Sequence, residues 1–243
     1  MLTKYFRSLY ERTMREAYNV AFREIVVSLQ EGGKCLDCGC NNGSYYERLN
    51  GIMPISKTDY YGIEWAEDLV AAAVNNEHNV IQGDLNADLP FEDHTFQCVY
   101  GLSVLEHLLR GCHWMKESKR VLEPDGSLVI LTPNISTFFT MALLAVGKMP
   151  SSGPHPDSEL LLQREALMQV SQISEPDVES DTPLHRHLVV FSFRVLRHYL
   201  KLIGFSDVKG YGFGLYPLPN FMQPVLEKID PYHCHQMVMI AKK

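Results

Sequence analysis

The residues best suited to chemistry lie in one segment near the start of the chain, KCLDCGCNNGSYYERL at 34–49. Three cysteines and two glycines occur there, between a short apolar run and a run of helical character. Two interpretations are open. The thiols of Cys35, Cys38 and Cys40 could form a metal clip, or the glycines could form a turn that lets a strand end hold a small ligand.

The metal interpretation starts from the two residues that separate Cys35 and Cys38, a spacing typical of zinc sites. A structural zinc site needs four ligands, usually from two such pairs, and the sequence has no second pair with this spacing. The segment HCH at 233–235 offers nitrogen and sulfur, but alternate side chains on a strand point to opposite faces. The pattern therefore favours buried thiols, and we expect no metal site.

The ligand interpretation depends on the turn that follows Asp37. Gly39 can adopt a positive φ and lets the backbone approach a ligand closely. Gly43 opens a predicted helix, whose first N–H groups are unpaired and favour a carboxylate. Asp37 can accept hydrogen bonds from an ammonium group or from turn amides, and Cys40 lies inside the same turn. We expect all four residues to contact the ligand.

Two further acidic residues end the next two predicted strands. Glu64 can hold both hydroxyls of a ribose, and Trp65 beside it offers an aromatic wall for an adenine ring. Asp84 can accept the exocyclic amine of adenine, while Leu85 supplies a backbone N–H and an apolar contact. The turn DCGCNNG lacks the G-x-G-x-x-G pattern, which argues against a nicotinamide-dependent dehydrogenase.

The elements that position these residues alternate between strand and helix, which indicates parallel strands joined by right-handed crossovers. In such sheets ligands bind at the carboxyl ends of the strands. The predicted strands are CLDCG, YYGIE, NVIQGD, FQCVYG, GSLVILTP, SDVKGYG and HQMVMIAKK. Helices are predicted over 5–29, 44–50, 67–76, 113–123, 136–147, 159–173 and the segment FSFRVLRHYLKLIGF, which Gly204 closes.

We expect one domain over 1–243, with an N-terminal helix in 1–30 and a lid-like insertion over 134–187. The net charge of −7 argues against a nucleic-acid partner, and no apolar run is long enough for stable membrane insertion. Six cysteines without a secretory signal indicate a cytoplasmic protein. The sequence leaves the oligomeric state open.

Four segments in order resemble the class I S-adenosylmethionine-dependent methyltransferases, and within them the type 11 group. They are LDCGCNNG at 36–43, YYGIE at 60–64, the run from GDLNADLP to LEHL at 83–108, and KRVLEPDGSLVILTPN at 119–134. The resemblance implies an α/β, Rossmann-like, doubly wound and mostly parallel seven-stranded sheet with an antiparallel last strand and a helical insertion after strand five. It also implies S-adenosyl-L-methionine as cofactor.

The resemblance further implies which residues hold the methionine part of the cofactor, namely Asp37, Gly39 and Gly43, with Gly101 and Leu102 contacting it through backbone groups. It gives the ends of the second and third strands the ribose and adenine roles described above. One departure is the asparagine pair at 41–42, where the family often has small or apolar residues. Amides there could hydrogen-bond the turn.

Methyl transfer to oxygen benefits from a base near the acceptor, and histidine titrates near neutral pH. His107 follows the fourth strand, and His155, His185 and His187 lie in the insertion; His107 and His155 are the candidate catalytic residues. We expect an enzyme that methylates a small-molecule, sugar or polyketide-like acceptor, preferably at oxygen. The alternative is a cofactor- or partner-binding module of the same fold without activity.

Overall fold

The computed structural model describes residues 2–150, 153–158, 161 and 186–243. Within these residues seven strands form one sheet in the order β3-β2-β1-β4-β5-β7-β6. The strands are β1 (Cys35–Cys38), β2 (Tyr60–Glu64), β3 (Asn79–Gln82), β4 (Phe96–Leu102), β5 (Leu122–Pro133), β6 (Asp207–Phe213) and β7 (Gln236–Lys242). Only β7 runs antiparallel to its neighbours, β5 and β6, so the predicted fold class is confirmed.

Helices cover both faces of this sheet. Those given for the described residues are α1 (Leu2–Ser28), α2 (Ser44–Ile52), α3 (Glu67–Asn75), α4 (Gly111–Val121), α5 (Phe138–Ala145), α6 (Phe193–Leu202) and α7 (Gln223–Ile229). Short 3₁₀ turns occur at Leu105–His107 and Pro231–His233. None of the described helices is both long enough and apolar enough to cross a bilayer.

The core has two parts, one on each face of the sheet, because successive side chains of a strand point to opposite faces. On β1, Leu36 and Cys38 face α4 and α6, where Trp114 contributes a fully buried ring. Cys35 faces the other way, into a cluster that α1, α2 and α3 cover and that includes Phe22. The central strand is thus buried on both faces, as its short apolar sequence requires.

A buried ion pair joins α1 to α7. The Nη1 of Arg12 lies 2.8 Å from Oε1 of Glu227 on α7, and their side chains are 8% and 7% exposed. Glu227 also accepts a hydrogen bond from the backbone N–H of Gly214 at 2.7 Å. The N-terminal helix is therefore tied to the C-terminal part of the fold.

The element bounds differ from the predictions in small ways. Strand β5 begins at Leu122, where α4 ends, whereas the sequence predicts a helix to 123 and a strand from 126. Gly101 and Leu102 are the last two residues of β4, not residues after it. In the insertion, α5 is present within the predicted 136–147. The helix predicted over 159–173 and His185 lie outside the described residues, apart from Leu161.

Candidate active site

The glycine turn after β1 has the backbone conformation that its composition predicts. Gly39 has φ 75° and Gly43 has φ 82°. A Cβ on Gly39 would lie 2.7 Å from Cγ2 of Val104, and one on Gly43 would lie 2.5 Å from Cδ2 of His78. The N–H groups of Gly39 and Cys40 donate to the carbonyl of Ile63 at 2.8 and 3.2 Å. Glycine is therefore required at both positions, and the turn is bound to the end of β2.

Glu64 brings its carboxylate onto this turn. Its Oε2 accepts a hydrogen bond from the backbone N–H of Asn41 at 2.9 Å. Its Oε1 accepts from the N–H groups of Trp65 and Ala66 at 2.8 and 3.0 Å. The Trp65 side chain is 70% exposed. The structure thus places the acidic end of β2 and the first turn together, with an exposed aromatic ring beside them.

Asp37 lies near the end of β1, but its side chain is fully buried. The Tyr60 hydroxyl donates to its Oδ2 at 2.8 Å, and Oδ1 has no hydrogen-bond partner among the described residues. Burial raises the pKa of Asp37 to about 7, against hydrogen bonding by the Tyr60 and Tyr100 hydroxyls and with the charge of Glu64 adding to the rise. Asp37 therefore sits under the turn with one unsatisfied oxygen.

The end of β3 lies beside that of β2, joined by a hydrogen bond from the N–H of Gly83 to the carbonyl of Glu64 at 2.9 Å. Asp84 accepts hydrogen bonds at Oδ1 from the backbone and side-chain nitrogens of Asn86, at 2.8 and 2.9 Å. The Leu85 side chain is 8% exposed and belongs to the core. Leu85 thus exposes little apolar surface at this edge of the sheet.

The end of β4 supplies backbone rather than side chains. A Cβ on Gly101 would lie 2.8 Å from Cη2 of Trp114, so a larger residue would collide with the core. Leu102 is buried on the α1 face. Ser103, which follows, has φ 58° and donates its N–H to the carbonyl of Leu131 at 2.8 Å. The chain thus turns sharply into the 3₁₀ segment that carries Glu106 and His107.

A cluster of titratable side chains follows this turn, formed by Glu106, His107 and His187. Each offers a ligand atom within 4.8 Å of the other two. Glu106 is 2% exposed, and its Oε2 accepts from the Thr132 hydroxyl at 2.9 Å. Burial raises the pKa of Glu106 to about 7, against hydrogen bonds from its own backbone and Thr132. We call these three residues the Glu106 cluster.

Hydrogen bonds set the orientation of the histidines. Nδ1 of His107 lies 3.0 Å from the carbonyl of Arg186, so this nitrogen carries the proton and donates. His155 accepts at Nδ1 from the backbone N–H of His187 at 3.0 Å, and the backbone N–H of His155 donates to the His187 carbonyl at 2.9 Å. The structure therefore brings His107, His155 and His187 together, although up to 80 residues separate them.

On the α1 side, the sequence pointed to His235 only as part of the HCH segment and did not point to Tyr10 or Tyr216. Tyr10 is 40% exposed, and its ring centroid lies 6.3 Å from that of His235. His235 stacks on Tyr216, with ring centroids 4.9 Å apart, and burial lowers its pKa to about 4. The amphipathic pattern of α1 indicates a buried face, but it does not indicate which residues of other elements α1 meets.

Residues 36–130 match a family model that is described as a methyltransferase domain. This stretch is a class I S-adenosylmethionine-dependent methyltransferase domain. Its cofactor is S-adenosylmethionine.

Individual relatives are also methyltransferases by name, but their names give different substrates. The chain is 30% identical over 110 residues to 27-O-demethylrifamycin SV methyltransferase from Amycolatopsis mediterranei, which covers 43% of this chain and 40% of that protein. It is 30% identical over 136 residues to the probable tRNA methyltransferase 9B of Mus musculus, covering 52% and 29%. The chain thus spans less than half the length of these curated relatives.

Among solved structures, the methyltransferase fold extends over nearly the whole chain. A possible histamine N-methyltransferase from Thermotoga maritima superposes with a TM-score of 0.56 at 16% identity, covering 98% of this chain and 96% of that one. At this identity the likeness concerns the fold. It includes the elements outside residues 36–130, namely α1 and the C-terminal strands.

The residues of the methyltransferase domain fit the cofactor chemically. The glycine turn has no side chain at Gly39 or Gly43, where a Cβ would collide with Val104 or His78, and its backbone N–H groups donate to acceptors within the protein. The Glu64 carboxylate can exchange backbone partners for ribose hydroxyls, and the unsatisfied Oδ1 of Asp37 can accept a hydrogen bond. These two carboxylates are acceptors that suit the ribose hydroxyls and the ammonium group of S-adenosylmethionine.

The cysteine clip is not formed in this domain. Cys35 and Cys38 belong to core clusters on opposite faces of the sheet, so their thiols cannot share an ion. Burial raises the pKa of both thiols to about 12, which keeps them protonated. Cys40 is also buried, on the α1 face. These thiols act as small apolar groups in the core.

Proposed function

We propose that the chain transfers the methyl group of S-adenosylmethionine to an oxygen atom of a small-molecule, sugar or polyketide-like acceptor. The observation that carries the proposal is the placement of two unlike sites after neighbouring strands. The Glu64 carboxylate and glycine turn follow β2 and β1, and the Glu106 cluster follows β4. The first suits the cofactor, and the second can handle an acceptor hydroxyl.

In this proposal the cofactor lies along the carboxyl ends of β1 to β4. The glycine turn and the end of β4 hold its methionine part, Glu64 holds the ribose, and the end of β3 holds the adenine. Asp37 accepts from the turn or from the cofactor ammonium. The ten proposed contacts are Asp37, Gly39, Cys40, Gly43, Glu64, Trp65, Asp84, Leu85, Gly101 and Leu102.

The sulfonium is already a strong electrophile, so the protein must align the acceptor oxygen about 3–3.5 Å from the methyl carbon. His107 is the better base of the two candidates. Its Nδ1 donates to Arg186, which puts the lone pair on Nε2, and burial lowers its pKa so that it is neutral at neutral pH. Nδ1 of His155 is occupied as an acceptor, so its Nε2 carries the proton.

The choice of a small acceptor rests on charge and on one relative. The net charge of −7 disfavours binding to a phosphate backbone, which draws on excess Lys and Arg. The relative that methylates 27-O-demethylrifamycin SV supports an oxygen acceptor. A tRNA acceptor, as named for another relative, and a module without activity are the competing functions, and transfer assays separate them.

A calorimetric titration tests the cofactor half of the proposal. Glu64→Ala should weaken S-adenosylmethionine binding by about 1.5–3 kcal/mol, roughly 10- to 150-fold in Kd, because it removes hydrogen bonds to a charged group. Glu67→Ala, an exposed glutamate in the first turn of α3, is the matched control and should bind as the wild type does. Equal affinity in both variants would contradict the assignment.

Methyl transfer itself is tested with cofactor carrying a labelled methyl group. Label should appear in a hydroxyl-bearing small molecule from a panel of phenols, sugars and polyketides. Label in purified tRNA instead would overturn the acceptor class. An absence of labelled product from the panel, from tRNA and from cell extract, with cofactor binding intact, would favour the module.

A further inference from the structure

We propose that the Glu106 cluster is a binding site for a first-row divalent cation, and that the cation holds the acceptor oxygen. This inference rests on the proposed function and deepens it, because it replaces the base by a Lewis acid. The sequence predicts no metal site, because neither the cysteine pair nor the HCH segment at 233–235 completes a ligand set. Glu106, His107 and His187 come together only through the fold.

The side chains of the Glu106 cluster form a ligand set that suits a divalent cation. Two imidazoles and one carboxylate are ligands that Mn²⁺, Fe²⁺, Co²⁺ and Zn²⁺ accept, in an arrangement with open positions for other ligands. Bonds of about 2.0–2.2 Å place neighbouring ligand atoms roughly 3–3.5 Å apart. The ligand atoms here lie within 4.8 Å of one another, so modest side-chain rotations close the site.

Two members of the Glu106 cluster are buried. The residues Glu106 and His187 are 2% and 7% exposed, and a carboxylate in such surroundings costs free energy unless a positive charge compensates it. Among the described residues, no lysine or arginine forms an ion pair with Glu106. A divalent cation bound by the cluster would supply that charge.

Hydrogen bonds from neighbouring groups orient the ligands. Metal-bound histidines usually donate their second ring N–H to an oxygen. Nδ1 of His107 does so to the Arg186 carbonyl at 3.0 Å. Glu106 is held by Thr132 at 2.9 Å, and its carbonyl accepts from the N–H of Leu188 at 2.7 Å. The two chain segments that carry the ligands are therefore joined directly.

The chemistry follows from the open positions. An acceptor with two neighbouring oxygens, such as a vicinal diol or a hydroxyl next to a carbonyl, can bind the cation through both. Coordination lowers the pKa of the hydroxyl, and its proton leaves to solvent. An oxygen lone pair then forms the C–O bond while the C–S bond breaks and its electron pair stays on sulfur. His107 is in that case a ligand and not the base.

Metal binding is tested on untagged protein that has been stripped with a chelator and titrated with Co²⁺. We expect one cobalt per chain, with visible bands but without the intense near-ultraviolet band of thiolate ligation. His187→Ala and the shape-conserving Glu106→Gln should each weaken cobalt binding at least tenfold. His198→Ala, at an exposed histidine of α6, should bind as the wild type does.

The S-adenosylmethionine affinity of each variant, measured in parallel, verifies that it is folded. Unchanged cobalt affinity in the folded Glu106→Gln and His187→Ala variants would overturn the site. Methyl transfer that is equally fast with and without chelator would overturn the role of the cation and leave the proposed function intact. Cobalt binding at the cluster without binding of S-adenosylmethionine would do the reverse.

Discussion

At the scale of single residues, Asp37 makes the stability of the protein depend on pH. Burial raises its pKa from 3.8 to about 7. Below about pH 4 the carboxyl is protonated in both states, and above it the unfolded chain releases the proton first. The stabilising contribution is therefore complete at low pH and is lost as the pH rises to about 7.

The substitution Asp37→Asn should remove this dependence. The separation of the two pKa values corresponds to about 4 kcal/mol in full, of which about 3 kcal/mol falls between pH 4.5 and 7.5, so the fall in unfolding free energy over this range should shrink by up to about 3 kcal/mol. Urea denaturation at both pH values measures it. Asp68→Asn, at an exposed aspartate in the first turn of α3, should leave the fall unchanged. Equal profiles for the wild type and Asp37→Asn would contradict the prediction.

Single residues also show where sequence interpretation ends. The acids at the ends of β1, β2 and β3 could be read from the sequence, because each follows a short apolar run. The depth of Asp37 could not, since it depends on Tyr60, a residue of the neighbouring strand. His187 meets Glu106 only because a segment beyond α5 returns to the end of β4.

At the scale of elements, the effect of replacing a glycine by alanine depends on whether the glycine lies in helix α2 or in the turn that precedes it. Gly51 lies in α2 with open space where a Cβ would be. Gly51→Ala should stabilise the protein by about 0.5–1 kcal/mol, because glycine loses more backbone entropy in a helix. Gly39→Ala should destabilise it, since the Cβ meets Val104 at 2.7 Å and φ is positive.

The control for the turn is Gly32→Ala, because Gly32 has φ +89° but no atom within 4 Å of its Cβ position. Gly32→Ala should therefore be destabilised only by the unfavourable positive φ, by about 1–2 kcal/mol. Thermal denaturation of the three variants should rank Gly51→Ala above the wild type, then Gly32→Ala, then Gly39→Ala. A Gly39→Ala variant as stable as Gly32→Ala would refute the close contact with Val104.

The order of elements could be predicted because strand and helix patterns are local. The starts and ends of α2 and α3 agree with the prediction within two residues. The start of β5 could not be placed, because the polar residues Glu123 to Asp125 resemble a turn and lie in a bulge, between the strand pairs Phe96–Leu122 and Cys98–Ser127. The place of α1 over the sheet likewise depends on long-range contacts.

At the scale of the whole molecule, the Arg12–Glu227 pair joins the two ends of the chain. Arg12→Ala should lower the unfolding free energy by about 3–5 kcal/mol, because it leaves the buried Glu227 carboxylate without its partner. Arg7→Ala removes an exposed pair with Glu11 on the same helix and should cost at most about 1 kcal/mol. Urea denaturation compares them, and equal losses would show that the buried pair has no special weight.

The two tryptophans occupy opposite extremes of solvent exposure, 70% for Trp65 and 0% for Trp114. Indole emission shifts to shorter wavelength when water is excluded, and the sealed ring of Trp114 is insulated from events at the surface. A nucleoside that stacks at the end of β2 should therefore change the tryptophan emission mainly through Trp65. The protein carries its own optical reporter for occupancy of that position, without an attached dye.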